Sequence, residues 1–432
     1  MTWRTVTLRE IANDIQSGFA KQPTYDGSGV PQLRTNNVSE DGNIDLSVLK
    51  SVLATKREQE QYALRPGDIL FNNTNSPALV GKTALFNVQG NFLFSNHMTR
   101  IRINRAVAHS GFVARYLFWS WRQGLFRSVV TQWVNQAAIN QTQLARVHIP
   151  LPPLSEQQRI VELLDQANQL KAKRAIADAK TQRFVPAIFA TMFGDPARNP
   201  KNFPSSTVGK LSDIQGGLQL SGKRSQYPIE IPYLRVANVF RDRLELSEIK
   251  VLHVTPQEKQ RCLLKAGDLL VVEGHGNKDE IGRCAVWDGS VPECVHQNHL
   301  IRVRTDTRRL LPKFLSRYLN SSAGRSHLIK AGKTTSGLNT ISVANVRATP
   351  ISLPPIELQH AFVSILNKAD EAANEQARAA KKLDRVVETL LLRAFNGELT
   401  ANWRNANARE LLREVEDQAR ILERTEMRQL AQ

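Results

Sequence analysis

Long apolar runs are missing from this sequence. No stretch approaches 18 consecutive apolar residues, and the opening segment MTWRTVTLREIANDI has no apolar core of the kind a secretory leader carries. The expectation is a cytoplasmic chain without a membrane span. Cysteine is scarce too: Cys262, Cys284 and Cys294 are odd in number, confined to one half, and without a CxxC or a nearby His pair. That pattern argues against a disulfide framework and a structural zinc site, and leaves buried free thiols in a reducing compartment. Acidic residues are outnumbered 40 to 58 by Lys and Arg, for a net charge of +18. An acidic disordered chain is excluded, and 41% hydrophobic residues suffice for real cores.

The shortage of acid is local. Not one Asp or Glu lies between Ile69 and Ser155, whereas Lys82, Arg100, Arg102, Arg105, Arg115, Arg122, Arg127 and Arg146 do. By segment, residues 1–154 carry +7, 155–193 +2, 194–356 +10, 357–395 zero and 396–432 −1. Such a distribution predicts a surface that repels cations and attracts a polyanion.

Catalytic motifs are also lacking. Gly81-Lys82-Thr83 and Gly332-Lys333-Thr334 end like phosphate-binding loops, but Ser76 and His327 stand where the required glycine would precede each Gly-Lys pair. Asp242 with Glu248-Ile249-Lys250 has a spacing open to a metal nuclease, yet reads more readily as a solvated strand edge. Gly274-His275-Gly276 lacks the third glycine of a dinucleotide turn, and no Asn/Asp-Pro-Pro-Tyr/Phe loop of an amino-methyltransferase is present. The chain reads as non-catalytic, with no cofactor of its own.

What is present is a repeat. Leu33-Arg34-Thr35-Asn36-Asn37-Val38 returns as Leu234-Arg235-Val236-Ala237-Asn238-Val239, and Arg65-Pro66-Gly67-Asp68 as Lys265-Ala266-Gly267-Asp268. Val80-Gly81-Lys82 matches Ile281-Gly282-Arg283, Asn96-His97 matches Asn298-His299, and Leu151-Pro-Pro matches Leu353-Pro-Pro. The shift of 200 to 202 persists through Gln157/Gln359 and Phe193/Phe395. The chain is a tandem duplication. The fold expected is α+β: two mixed α/β units, 1–154 and 194–356, each followed by a long helix, 155–193 and 357–395, and a helical tail over 396–432.

Each Leu-Pro-Pro opens a helical period. Ser155 and Gln158 fit a capping box for the first helix, and Pro186 should end or kink it near Val185. Ile160, Leu163, Ala167 and Leu170 in the first helix, and Phe362, Ile365, Ala369, Leu383 and Val386 in the second, recur near heptad spacing. The two helices are expected to pair as an antiparallel coiled coil with approximate two-fold symmetry. About 30 helical residues span roughly 45 Å, a little over one turn of duplex at about 34 Å. The tail recurs at Leu411, Leu412, Val415, Ala419 and Leu422, and is expected to pack on the first helix or the N-terminus, with contact to a partner subunit as the alternative.

Residues shared by the copies suit DNA or suit turns. Arg34, Asn36 and Asn37, and Arg235 with Asn238, could address base edges or phosphates, or could support the backbone. Asn96 and His97, and Asn298 and His299, face the same choice, and Lys82 and Arg283 add matched cations. Where the copies differ, specificity is expected. Asn72-Asn73-Thr74-Asn75-Ser76 stands where the second copy has Glu273-Gly274-His275-Gly276-Asn277-Lys278. A loop from Trp133 to Asn140 faces Lys333 to Asn339, whose Lys333, Thr334 and Ser336 could hold phosphate. Asn73, Asn75, Glu273, His275 and Lys278 are candidate readers of two different half-sites.

With Leu151-Pro-Pro-Leu-Ser-Glu-Gln-Gln before one long helix, Met192-Phe-Gly-Asp-Pro-Ala-Arg-Asn-Pro after it, and Leu353-Pro-Pro together with Arg393-Ala-Phe-Asn-Gly-Glu-Leu bounding the second, the chain resembles the specificity subunit of type I restriction-modification systems to about Thr400. The resemblance implies two target-recognition domains that read an asymmetric, bipartite DNA sequence across an unread gap. It also implies helices that act as a ruler and a docking surface for two modification subunits, which would methylate adenine with S-adenosylmethionine. Separate restriction subunits would supply cleavage with ATP and Mg. A single-chain methyltransferase or nuclease with a degenerate site, or a non-specific DNA-binding scaffold, is the alternative. One departure is Ile356-Glu-Leu-Gln-His, which lacks the Ser-Glu-Gln start of the first helix.

Overall fold

The structure is a computed structural model that describes residues 3–128, 131–132, 136–335 and 338–430. Trp133 to Asn135, and Ser336, which enter the expectations above, lie outside them. The chain is α+β and divides into two compact units, residues 1–174 with 379–432, and residues 175–378.

In the first unit, four antiparallel strands lie in the order Ala12–Ser17, Met98–Ile103, Asp68–Asn72, Thr83–Phe86. Asp68–Asn72 is wholly buried because it is covered on both sides. Ile69 and Phe71 enter one core with Phe112 and Leu117, while Leu70 enters another with Leu33 and Phe86. The second unit repeats this with Ser212–Gly216, Leu300–Thr305, Leu269–Val272 and Cys284–Val286, sending Leu269 and Val271 to one core and Leu270 and Val272 to the other. The Arg/Lys-x-Gly-Asp motif explains itself in both. Gly67 and Gly267 take φ of +98° and +93°, and the following Asp accepts a hydrogen bond from the N–H three residues back, Arg65 at 2.9 Å and Lys265 at 2.8 Å.

Each unit takes into its core the last turn of the other copy's long helix. Phe395 meets Phe112 at 5.6 Å in the first unit, and Phe193 meets Phe314 at 4.9 Å in the second. The helix pairing within each unit is antiparallel: Lys171 bridges Asp384 at 2.8 Å in one, and Gln376 donates to Thr181 at 3.3 Å in the other. Gln157 and Gln359 anchor the helix starts alike. Each accepts from a backbone N–H, of His109 at 2.7 Å and Leu311 at 2.9 Å, and donates to the carbonyl of Pro152 at 2.8 Å and Pro354 at 3.0 Å. The glutamine, rather than the Ser-Glu-Gln run, is what the second helix needed to keep.

Several details depart from expectation. The first long helix runs from Leu154 to Phe193 straight through Pro186; that ring is exposed, and it costs one ladder bond, from the Gln182 carbonyl. Ser155 is not capped by Gln158. Its N–H and hydroxyl donate to Glu414 of the tail at 2.9 and 3.0 Å. The heptad phase drifts. Ile160 and Phe362 are fully buried and Leu163, Ala167, Ile365, Ala369 and Leu383 partly so, but Leu170 is 55% and Val386 45% exposed, with Leu164, Leu366 and Val387 buried instead. A straight α-helix does not hold a 3.5-residue repeat, so the buried stripe moves by one position. The second unit carries two consecutive helices, Pro312–Asn320 and Ser322–Ala331, with Ser321 capping the second.

The tail helix, Ala408–Leu430, packs against the N-terminal region and the start of the first long helix through Leu411, Gln418 and Leu422. Fully buried Glu156 accepts from Thr400 at 2.5 Å, Arg404 at 2.8 Å and Trp3 at 3.1 Å.

Candidate nucleic-acid interface

A small third sheet in each unit gathers the segments that differ between the copies. In the first unit Thr74–Asn75 pairs with Ala137–Ala138, which pairs with Thr131–Gln132. In the second, Gly274–His275 pairs with Leu338–Thr340, which pairs with Lys333–Thr335. The matched Asn-His loops join them: the Asn73 N–H donates to the His97 carbonyl at 3.1 Å, and the Glu273 N–H to the His299 carbonyl at 2.9 Å. Ile139 and Ile341 close the other side by donating to the carbonyls of Asn73 and Glu273, both at 2.9 Å. Three segments distant in sequence thus converge twice on one frame.

The side chains on that frame differ in chemistry. The first unit presents Asn75, whose amide oxygen accepts from the Ser76 N–H at 2.8 Å, beside exposed Asn96 and His97. The second presents exposed Lys278 and Lys333, with partly exposed His275, Asn298 and His299. Thr334 lies in the edge strand. Burial alone pushes the carboxyl of Glu273 above its ordinary range. Asn339 belongs to the middle strand of the second unit's third sheet and Gln141 opens the helix Gln141–Ala145 of the first unit; neither was singled out from sequence, although both sit at the ends of the unmatched loops. Gln141 donates to Ser17 at 3.0 Å, and Asn339 to the Gly276 carbonyl at 3.0 Å.

Other candidates are committed to the scaffold. Asn37 and Asn238 are 2% exposed; each accepts from its own Arg34 or Arg235 N–H and donates to two carbonyls, of Asp45 and Val48, and of Glu245 and Glu248. Arg34 donates to the Lys21 carbonyl at 3.3 Å, Arg235 pairs with Glu248 at 2.7 Å, and only Asn36 of that group is exposed. Buried Lys82 donates to the Val38 carbonyl at 2.5 Å, and burial lowers its pKa. Its counterpart Arg283 is buried with Glu280 at 2.7 Å. Asn73 donates to the Asn96 carbonyl and to Thr99, at 3.1 and 3.0 Å.

The acid-free run is neutralised from outside itself. Arg100 pairs with Asp14 at 2.8 Å, Arg102 with Asp68 at 2.8 Å, Arg115 with Asp165, and Arg122 with Glu388 at 2.9 Å. The second unit repeats two of these, Arg302 with Asp213 and Arg304 with Asp268 at 2.6 Å. Lys82, Arg100, Arg102 and Arg115 of that run are scaffold, and Arg105, Arg122, Arg127 and Arg146 remain exposed. Asp242 and Glu248 are likewise paired, with Arg317 at 3.2 Å and with Arg235. Among the described residues no group of three or more His, Cys, Asp or Glu is placed to hold a metal, and no helix is long and apolar enough to cross a membrane. All three cysteines are free and buried, and burial raises each thiol pKa, that of Cys294 to about 12.

The family model for the type I restriction modification DNA specificity domain matches residues 1–177 and again 200–383, once for each copy. The chain belongs to this family. It is 28% identical over 404 residues to the type I restriction enzyme EcoKI specificity subunit of Escherichia coli (strain K12), covering 88% of this chain and 84% of that one. The StySPI specificity subunit of Salmonella potsdam is 24% identical over 396 residues, with the same coverage. In fold, a chain solved in work on complex assembly of the type I R-M system aligns with a TM-score of 0.60 at 20% identity over 92% of this chain and 98% of its own. The S subunit from M. genitalium aligns with a TM-score of 0.52 at 12% identity over 91% and 96%. The chain is thus a type I DNA specificity chain, and its two family matches fall on the two units that carry the third sheets.

Proposed function

We propose that each third sheet, with its Asn-His loop, reads one half of an asymmetric bipartite DNA target, through target-recognition domains at 1–154 and 194–356. The observation that carries this reading is the pairing of one backbone frame with two side-chain sets. Asn75, Asn96 and His97 stand in one copy against Glu273, His275, Lys278, Asn298, His299 and Lys333 in the other. Equal frames with unequal donors and acceptors read unequal sequences. The helices at 155–193 and 357–395 serve as spacer and as docking surface for two modification subunits. Those subunits carry adenine methylation with S-adenosylmethionine, and restriction subunits carry ATP- and Mg-dependent cleavage. This chain directs the chemistry and performs none of it, in the cytoplasm.

Footprinting the chain assembled with its modification subunits tests the reading. Two protected blocks of different sequence with a tolerant gap are expected. Inserting four residues, about one helical turn, into both spacer helices should lengthen the gap by one to two base pairs. One continuous or sequence-independent footprint contradicts the proposal, and an unchanged gap contradicts the spacer role.

A further inference from the structure

Asn73 and Glu273 occupy the same place on the shared frame. Their backbone groups are used identically, the N–H on the carbonyl of His97 or His299 and the carbonyl on the N–H of Ile139 or Ile341. Only the side chain distinguishes them, and the surroundings decide its fate. The Asn73 amide nitrogen is a donor, and it meets two acceptors of its own unit, the Asn96 carbonyl and the Thr99 hydroxyl. Neither partner can serve Glu273. The Asn298 carbonyl, like the carboxylate, is an acceptor, and the residue matching Thr99 is Ile301, whose side chain offers nothing polar.

Glu273 therefore stands partly buried, with no hydrogen bond or ion pair to its carboxylate among the described residues, although cations abound in its unit. No nearby charge contributes to its raised pKa, which comes from burial alone. An ionised carboxylate deprived of part of its water and given no donor is costly unless a ligand brings the donor. On a surface that faces DNA it also repels phosphate, so backbone contacts are excluded. Among base edges in the major groove, an acceptor-only group matches an exocyclic amino group and is repelled by O6, N7 and O4, and a Glu is best satisfied by cytosine N4.

Resting on the reading of the third sheets as DNA readers, we propose that Glu273 is a specificity-determining residue that accepts a hydrogen bond from a cytosine N4 amino group in the half-site of the second copy. Asn73, whose amide is occupied within the protein, plays no such part in the other half-site.

The test uses the full chain assembled with its modification subunits and a duplex pool randomised over both half-sites. The wild type should enrich cytosine at one position of one half-site. E273Q should shift that position toward adenine, which a Gln addresses through N6 and N7, leaving the other half-site and the gap unchanged. On the wild-type target E273Q should bind roughly tenfold more weakly. On unrelated duplex at low salt it should bind as well or better, because a negative charge has gone. E273A should relax the position to any base without lowering the melting temperature, since the carboxylate has no internal partner to lose. If the wild type selects two half-sites but E273Q and E273A alter neither, or alter both alike, the role of Glu273 is overturned while the third-sheet reading stands. If the wild type selects no bipartite sequence, the third-sheet reading itself falls, and the role of Glu273 with it.

Discussion

The two units keep the same frame and differ where that frame is exposed or closed off. Both hold a four-stranded sheet in matching register, an Arg–Asp bridge, Arg102–Asp68 or Arg304–Asp268, and a buried glutamine at the start of a long helix. They differ at the third sheet, in the parallel strand that ends in Phe94 or His296, and at the helix start, where the first unit buries Glu156 under the tail and the second has Leu358. The Arg–Asp bridges and buried amides recur in both copies, and the exposed differences gather at the third sheet. Part of the charge that looks like a DNA grip in the sequence, Lys82, Arg100, Arg102 and Arg115 of the acid-free run, is mortar of the frame.

Breaking the asymmetry at the helix start should have the largest effect. Arg404→Ala leaves the fully buried Glu156 carboxylate with only Thr400 and Trp3, and should cost the first unit about 3–4 kcal/mol, the penalty for an orphaned buried charge. Hydrogen exchange should show faster opening within residues 3–128 and none within 205–352.

Next comes acid. Burial holds the pKa of His296 down to about 4, so the unfolded chain binds a proton below about pH 6.5 that the folded unit refuses until about pH 4. The second unit should lose stability as pH falls through that window, by about 3 kcal/mol at its lower end. The first unit has Phe94 at that place, and its own histidine lowered by burial is His109. His296→Phe should flatten the pH dependence of the second unit's unfolding, measured by exchange between pH 4 and 7.

Asp68→Asn and Asp268→Asn probe what the copies share. Each removes the charge from a buried bridge whose Arg is about one-third exposed, so each should cost its own unit about 2 kcal/mol, read from the denaturation midpoint. Unequal losses would break the equivalence of the frames.

The smallest effect separates mortar from grip. Lys82→Met, at a buried amine, should leave the salt dependence of DNA binding unchanged, whereas Lys278→Ala should lower the slope of log K against log salt by about 0.9.

The duplication was legible because long matched segments keep one shift, and Arg65-Pro-Gly-Asp and Gln157 turn out to be matched for structural reasons. The unmatched loops at 72–76 and 273–278 were legible as well, but not their meeting with 137–138 and 338–340, since strands of two or three residues carry no periodicity. Partners could not be read either. Nothing local tells that Arg100 pairs with Asp14 across the sheet, or that Glu414, far along the chain, caps Ser155. Coiled-coil spacing fixed which helices pair, yet not whether Val386 or Val387 faces inward, because neighbouring apolar residues fit the stripe about equally well.

The central claim, that one frame carries two exchangeable readers, is tested most directly by mapping methylated adenines in cells that express the wild-type chain or a chain in which Glu273–Lys278 is replaced by Asn73–Ala78. The account predicts that one half of the methylated sequence changes while the other half and the gap stay as they were. Change in both halves, or in neither with methylation intact, would contradict it.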